Sequence, residues 1–220
     1  RSPEQEVSSV LICLDVTEDV VAEAGRLGCQ LIISHHPLLF HPLRTVSDTT
    51  YQQRCVIRAV TSGIAIYSAH TSLDNARGGV NFKIAEKIGL EGLCWLSARE
   101  DADAGSGVIG ELRAPMAERD FLLMLKDKFG VRCLKHSATT GKMIKSVAVC
   151  GGAGAFLLPD AIRREADCFV CGEFHYHDWF ENSGVTLAEL GHYESEQFTQ
   201  ELLLELLSSA FPGIDARITA

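Results

Sequence analysis

Three stretches of this chain carry side chains able to hold cations. His35 and His36 follow the apolar run Leu31 to Ser34 and precede Pro37. His70 and Asp74 follow Ile64 to Ser68, and His192 and Glu196 follow Gly191. Adjacent side chains on extended backbone diverge, so His35 and His36 do not easily chelate one ion. Each can serve one of two ions a few Å apart, with Pro37 stiffening the turn through its fixed φ. A spacing of four on a helix puts His192 and Glu196 on one face, one turn apart, where a carboxylate can bridge two ions. Asp74 adds a hard oxygen from a third strand end. Taken alone, a His-His pair is an ordinary surface feature, and Glu196 an acid favoured near a helix N-terminus. Their recurrence at several strand ends makes the case. Imidazoles and carboxylates without thiolate suit zinc, iron or manganese and are too nitrogen-rich for calcium. The expectation is two divalent metal ions on His35, His36, Asp74, His192 and Glu196.

Other polar residues have weaker claims. His70 reads as an orienting group or a ligand. Glu173 and His177 read as acid/base groups of a pocket or as turn residues, and His41, His136 and His175 as structural or exposed. Gly151 to Gly154 follows a strand and precedes a helix, as a phosphate cradle does. It lacks the P-loop Lys-Ser/Thr and the full dinucleotide fingerprint. A tight turn explains it equally, as do backbone N–H groups turned toward an anionic substrate. No G-x-S-x-G elbow is present.

The elements needed to position these groups are those of an α/β protein. Val10 to Asp15 reads as a strand ending at an acid. Thr17 caps a helix whose stripe is Val20, Val21, Ala24 and Leu27, and Gly28 stops it. Leu31 to Ser34 is the next strand, so the pair should be parallel. A second helix, capped by Asp48, leads to a strand at Ile64 to Ser68, and a further helix runs from Val80 to Ile88. Glu91 to Gly107, rich in Ala, Asp, Gly and Ser from Ser97 onward, reads as a linker. Val108 to Leu112 reads as a strand, Met116 to Phe129 as a helix and Val131 to His136 as a strand. The opening pattern then returns at Val147 to Cys150, Phe156 to Ala166 and Cys168 to Cys171. Val10 onto Val147 and Leu31 onto Cys168 share an offset of 137, and the two His-x-x-x-acid segments one of 122. A long helix is expected from Tyr193 to Ser208. The fold class is therefore α/β, built from two related lobes. Residues 1–97 with 185–220 should form the metal-site lobe, and 98–184 the second.

Composition sets the outer bounds. The 220 residues are 46% apolar and 22% charged, ordinary for a globular chain. No apolar run reaches the roughly 18–20 residues of a membrane span, and Arg1 to Ser9 is too polar for a secretory signal, so no membrane partner and a cytoplasmic location are expected. A net charge of −9 argues against non-specific nucleic-acid binding. The eight cysteines read as free thiols, several of them buried. Cys168 and Cys171 form a C-x-x-C, but on a strand they point to opposite faces.

Four segments, LIISHHPLLF (31–40), AHTSLDNARGG (69–79), VCGGAG (149–154) and GHYESE (191–196), resemble in order the signatures of the Nif-three-like dinuclear-metal family, often labelled type-2 GTP cyclohydrolase I homologues. The resemblance runs from about Val10 to Leu207. It implies two similar α/β lobes with the metal pair in the cleft between them, and a toroidal homohexamer. It implies one ion on His36 and Asp74, the other on His35 and His192, and Glu196 as the bridge. Gly172, Glu173 and His177 match the family's pocket residues. Members usually begin with a helix and an Asp-Asn-x-Gly-Leu segment ahead of the first strand, which this sequence is not expected to have. Glu91 to Lys145 is too short for the inserted middle domain of longer members.

Two functions stay open on these grounds. One is metal-dependent hydrolysis of a small-molecule substrate, a GTP-like nucleotide among the candidates, although no residue dictates guanine recognition. The other is a non-catalytic metal-binding protein that regulates or recruits a partner. A purely structural metal site fits poorly, because structural zinc is mostly cysteine-bound.

Overall fold

The computed structural model describes residues 6–100 and 103–220. In chain order the main elements are β1 Ser9–Cys13, α1 Glu18–Leu27, β2 Leu31–Ser34, α2 Tyr51–Thr61, β3 Ala65–Ser68, α3 His70–Asp74, α4 Val80–Ile88, β4 Leu90–Ala98 and β5 Gly105–Ala117. They continue with α5 Glu118–Lys128, β6 Lys135–His136, β7 Met143–Cys150, α6 Leu158–Arg163, β8 Cys168–Cys171, β9 Thr186–Glu189, α7 His192–Glu196, α8 Thr199–Ala210 and β10 Asp215–Ile218. The architecture is mixed α/β with two sheets. It divides into two compact units, Arg1–Thr71 with Phe198–Ala220, and Ser72–Gln197. These divisions fall at 71/72 and 197/198. Asp74, His192 and Glu196 thus belong to the second unit.

In the first unit all four strands are parallel, in the order β10-β1-β2-β3. Thr17 accepts a hydrogen bond from the Val20 N–H at 3.3 Å and Gly28, at φ 71, closes the far end of α1. A cap of this kind contributes about 1 kcal/mol. The α1 stripe Val20, Val21 and Ala24 is buried in a core with Leu11, Ile32 and Cys55. Each such aliphatic side chain contributes about 2 kcal/mol on burial. The second helix is capped by Thr50, not Asp48: Thr50 has the extended backbone and accepts from the Gln53 N–H, whereas Asp48 offers its carbonyl to Arg54.

The second unit holds a six-stranded mixed sheet, β4-β5-β7-β8-β9-β6, in which β7, β8 and β9 are parallel. Its core gathers Leu96, Ile109, Ala148, Phe169 and Leu187. The stretch expected to be a linker is instead an antiparallel pair of long strands, β4 and β5, with 101 and 102 outside the described residues. Gly105 serves close packing, not flexibility: a Cβ there would lie 2.8 Å from the Trp95 ring. The strand expected over Val131 to His136 shortens to the two residues of β6. The long C-terminal helix is two helices, α7 and α8, parted at Gln197 and Phe198. The buried Leu202 and Leu203 of α8 belong to the first unit, and the buried Ser195 and Glu196 of α7 to the second.

The repeated pattern is a repeated topology. Val10 pairs with Leu31 in one unit and Val147 with Cys168 in the other, in the same parallel register. The third strands, β3 and β9, join on the same side. Cys168 and Cys171 do fall on opposite faces, since Phe169 and Cys171 share a core cluster without Cys168. All eight cysteines are free, with Cys94 and Cys133 exposed. Among the described residues no helix is long and apolar enough to cross a membrane.

One buried carboxylate ties the second unit together. Glu118, at the start of α5, is 1% exposed. It accepts hydrogen bonds from the Thr140 and Gly141 N–H groups at 2.8 Å and from the Thr186 hydroxyl. Burial alone would raise its pKa, but these donors outweigh burial and hold it below the usual carboxylate value. The stability it supplies is therefore present above the unfolded value and lost as pH falls through the lower folded value. Glu118→Ala strands three donors and should cost about 3 kcal/mol in urea unfolding at pH 7. A loss under about 1 kcal/mol would contradict the role given to these bonds.

Candidate metal centre

In the first unit, three neighbouring parallel strands deliver their last residues side by side. Cys13, Ser34 and Ser68 are in register. Backbone pairing then continues past the strand ends: the His35 N–H donates to the Cys13 carbonyl at 3.2 Å, His36 to Leu14 at 2.9 Å, and His70 to His35 at 2.9 Å. The Ser34 hydroxyl donates to the His36 carbonyl and pairs with Ser68, both at 2.8 Å. This bracing gathers three imidazoles. His35 and His36 have ring centroids 4.8 Å apart, and the His70 ring lies 5.8 Å and 6.0 Å from them. His35 is completely buried and His36 half-buried. Asp15, just past the end of β1, holds His36 Nδ1 at 2.9 Å. A carboxylate on Nδ1 orients the ring. His70 sits at φ 36, in the left-handed region, a strained setting for a residue with a Cβ.

The second unit repeats the arrangement with different side chains. Cys150, Cys171 and Glu189 are in register at the ends of β7, β8 and β9. The Glu173 N–H donates to Gly152 at 3.0 Å and Gly191 to Gly172 at 2.9 Å. Gly191, at φ 103, turns the chain from β9 into α7. His192 and Glu196 then stand one turn apart, with His192 Nε2 3.3 Å from Glu196 Oε2 and His192 Nδ1 2.8 Å from Glu173 Oε1. Glu173 is itself braced, because buried Glu189 accepts the next N–H, that of Phe174, at 2.8 Å.

Asp74 is tied to this group through Asn81. The Asn81 amide donates to the Asp74 carbonyl at 3.0 Å and accepts from the Gly151 N–H at 2.9 Å. Gly151 and Gly152 lie against Glu196; a Cβ on Gly152 would collide with Glu196 Oε1 and crowd His192 Nε2. The glycine run is therefore a close-approach turn. The Gly151 and Gly152 N–H groups are already given to Asn81 and to the Ser195 hydroxyl, so they do not form a phosphate cradle.

The charge pattern fits a divalent cation. Burial raises the Cys150 thiol well above its ordinary pKa, and Cys171 and the negative charges of Asp74 and Glu196 push it the same way. Two carboxylates thus bear on one buried neighbourhood, which a cation would relieve.

Of the residues singled out from sequence, the first unit gathers His35, His36 and His70, and the second gathers Glu173, His192 and Glu196, with Asp74 joined to them by way of Asn81. His177 stands apart, exposed on the turn after Glu173, where its ring meets Tyr176 and Phe180. Asp15, Asn81 and Ser195 were not anticipated. Asp15 had a signal, an acid closing the strand beside the one that carries the histidines. Asn81 and Ser195 had none.

Two α/β units with imidazoles and carboxylates at aligned strand ends define the chain as an α/β protein with a candidate metal site. It belongs to the Duf34/NIF3 (NGG1p interacting factor 3) family, which matches residues 1–220. A relative named GTP cyclohydrolase 1 type 2 homolog, from Clostridium perfringens, is 32% identical over 196 residues, 88% of this chain and 75% of the relative. One of the same name from Lactococcus lactis is 32% identical and covers 97% of this chain and 82% of its own length. Among solved structures, a Bacillus cereus protein related to NIF3 superposes with a TM-score of 0.87 at 22% identity, covering 99% of this chain and 88% of its own. A Staphylococcus aureus hypothetical protein gives 0.89 at 25%, covering 100% and 86%.

The two carboxylates flanking His192 raise its pKa to about 9, Glu196 contributing most, against an opposing effect of burial and with further help from Glu173. For a raised basic group the stabilising interaction is complete below the ordinary histidine value of about 6.5 and is lost as pH rises through about 9. In metal-stripped protein, an NMR titration should find His192 near about 9 in the wild type. Glu173→Gln should lower that value while leaving it above the ordinary one, because Glu196 remains. An unchanged midpoint in the variant would remove Glu173 from this role.

Proposed function

We propose that the chain is a metal-dependent hydrolase with a dinuclear centre. His36 and Asp74 would hold one ion, His35 and His192 the other, and Glu196 would bridge them. The ions would be zinc, iron or manganese, as a set of imidazoles and carboxylates favours. One observation carries the reading: His36 and His192 each have Nδ1 tied to a carboxylate, Asp15 and Glu173. That is the bracing of metal-ligating imidazoles. Two bound ions supply a water acidified toward neutral pH and a Lewis acid for a carbonyl or phosphoryl oxygen. Glu173, half-exposed and in contact with His192, would accept and return the proton. His177, on the turn after it, is the alternative proton carrier. His70 would pack and orient the two histidines beside it.

The substrate would be a small molecule, and the printed names of the relatives support a nucleotide. A homohexameric ring in the cytoplasm completes the reading. A second reading, a non-catalytic metal-binding protein that recruits a partner, is favoured by a particular feature. Tyr176 and Phe180, on the turn after Glu173, are 74% and 66% exposed and pack edge to face at 5.2 Å. An open coordination position favours the hydrolase, and a coordinatively closed site favours the recruiter.

Glu196→Ala should lose most bound metal, with affinity down at least roughly 10–100-fold, while the circular dichroism spectrum stays that of the wild type. A fully loaded variant would end the bridging assignment. Metal analysis of the purified protein, then a nucleotide hydrolysis screen with metal-stripped controls, tests the activity; turnover that survives stripping would reject it. Light scattering should report a hexamer at micromolar concentration, and a monomer would count against the ring.

A further inference from the structure

A second concavity lies wholly within the second unit, on a different set of elements. One wall is a face of α5 bearing Arg119, Leu122, Leu123 and Lys126; the other is the segment leading into β6, with Arg132 and Leu134. The hollow is open to solvent on one side and its volume is about 450 Å³, within the range of small-molecule sites.

Its charge is out of keeping with the rest of the chain. The protein carries a net charge of −9, yet three cations converge here, all exposed. Five arginines elsewhere hold a carboxylate: Arg54 and Arg58 hold Glu18, Arg77 holds Asp103, Arg163 holds Asp160, and Arg217 holds Asp215. Arg119, Lys126 and Arg132 form no ion pair among the described residues. At about 100° per residue, Asp120 and Asp127 project from the adjacent flank of α5. Glu118 is buried and committed to Thr140, Gly141 and Thr186, and Glu189 is taken by Lys135. His136 engages the Ser137 carbonyl through Nδ1 at 2.8 Å, which leaves Nε2 for another partner. Three like charges around one hollow repel one another unless an anion is shared among them. Guanidinium groups match phosphate oxygens in a bidentate fork.

The apolar part of the wall narrows the class. It is leucine: Leu122 is buried, Leu134 half-buried and Leu123 55% exposed. No phenyl or indole ring lines it among the described residues, and the one ring there is the imidazole of His136. The geometry points to a binding site for a small organic phosphate with an aliphatic body, the phosphate on Arg119, Lys126 and Arg132 and the chain on the leucines. The site is independent of the metal centre.

Cys133 borders the same hollow, and its thiol is exposed, as is that of Cys94. The full chain can therefore report occupancy by itself. Alkylation with iodoacetamide, followed peptide by peptide by mass spectrometry, gives the rate at Cys133 with Cys94 as the internal control. Hexyl phosphate at ten times its Kd leaves about one site in eleven free and should slow Cys133 about tenfold, with Cys94 unchanged. 1-Hexanol should not protect, and inorganic phosphate and AMP should protect only at much higher concentration. Arg119→Gln with Arg132→Gln should abolish the protection while keeping the Cys94 rate and the metal content of the wild type. Absence of protection would overturn the proposal, as would equal protection by 1-hexanol or by AMP. So would a Cys133 that fails to react before any probe is added, since that would mean another copy of the chain covers this face.

Discussion

Parallel register is the constraint on which the rest depends. Where Cys13 lies beside Ser34, and Cys150 beside Cys171, the next residues of each strand must emerge at the same level. Backbone bonds from His35 to Cys13, and from Glu173 to Gly152, hold that level past the last strand residue. Side chains alternate along extended backbone, so a slip of one residue would send His35 and His36 to exchanged sides. The buried aliphatic residues of β1, β2, β7 and β8 prevent the slip. The candidate site is thus positioned by core packing that contains none of its own residues.

The two units use this device differently. At equivalent strand ends the first presents His35 and His36, and the second Gly172 and Glu173. Imidazoles dominate one side, and carboxylates the other. Each unit also orients its own imidazole, His36 through Asp15 and His192 through Glu173. The acid that orients is on a neighbouring strand end in both cases, so the orientation too follows from register.

Much of this was legible in the residues. The stripe of α1, its Thr17 cap and its Gly28 stop have local causes, and the structure follows them. The offset of 137 announced the repeated topology, because two strands and the helix between them recur with the same spacing. What was not legible depended on contacts distant in sequence. Ser97 to Gly107 has the composition of a linker, but Gly105 is set by the Trp95 ring that lies against it. The apolar pattern of α7 and α8 runs on continuously, yet it serves two separate cores, and periodicity does not say which core a turn of helix will join. Asn81 gave no sign of its place, since an asparagine inside a helix is usually solvated; here it is 2% exposed and spans Asp74 and Gly151.

The turns that leave these strand ends are built to another standard. Residues 38–50 and 174–185 hold no position in either sheet. Each is nonetheless anchored in a core, the first through Leu38 and the second through Phe174, Trp179 and Val185. Between these anchors the chain is free of any ladder, so the rim around the strand ends can change length where the strands themselves cannot.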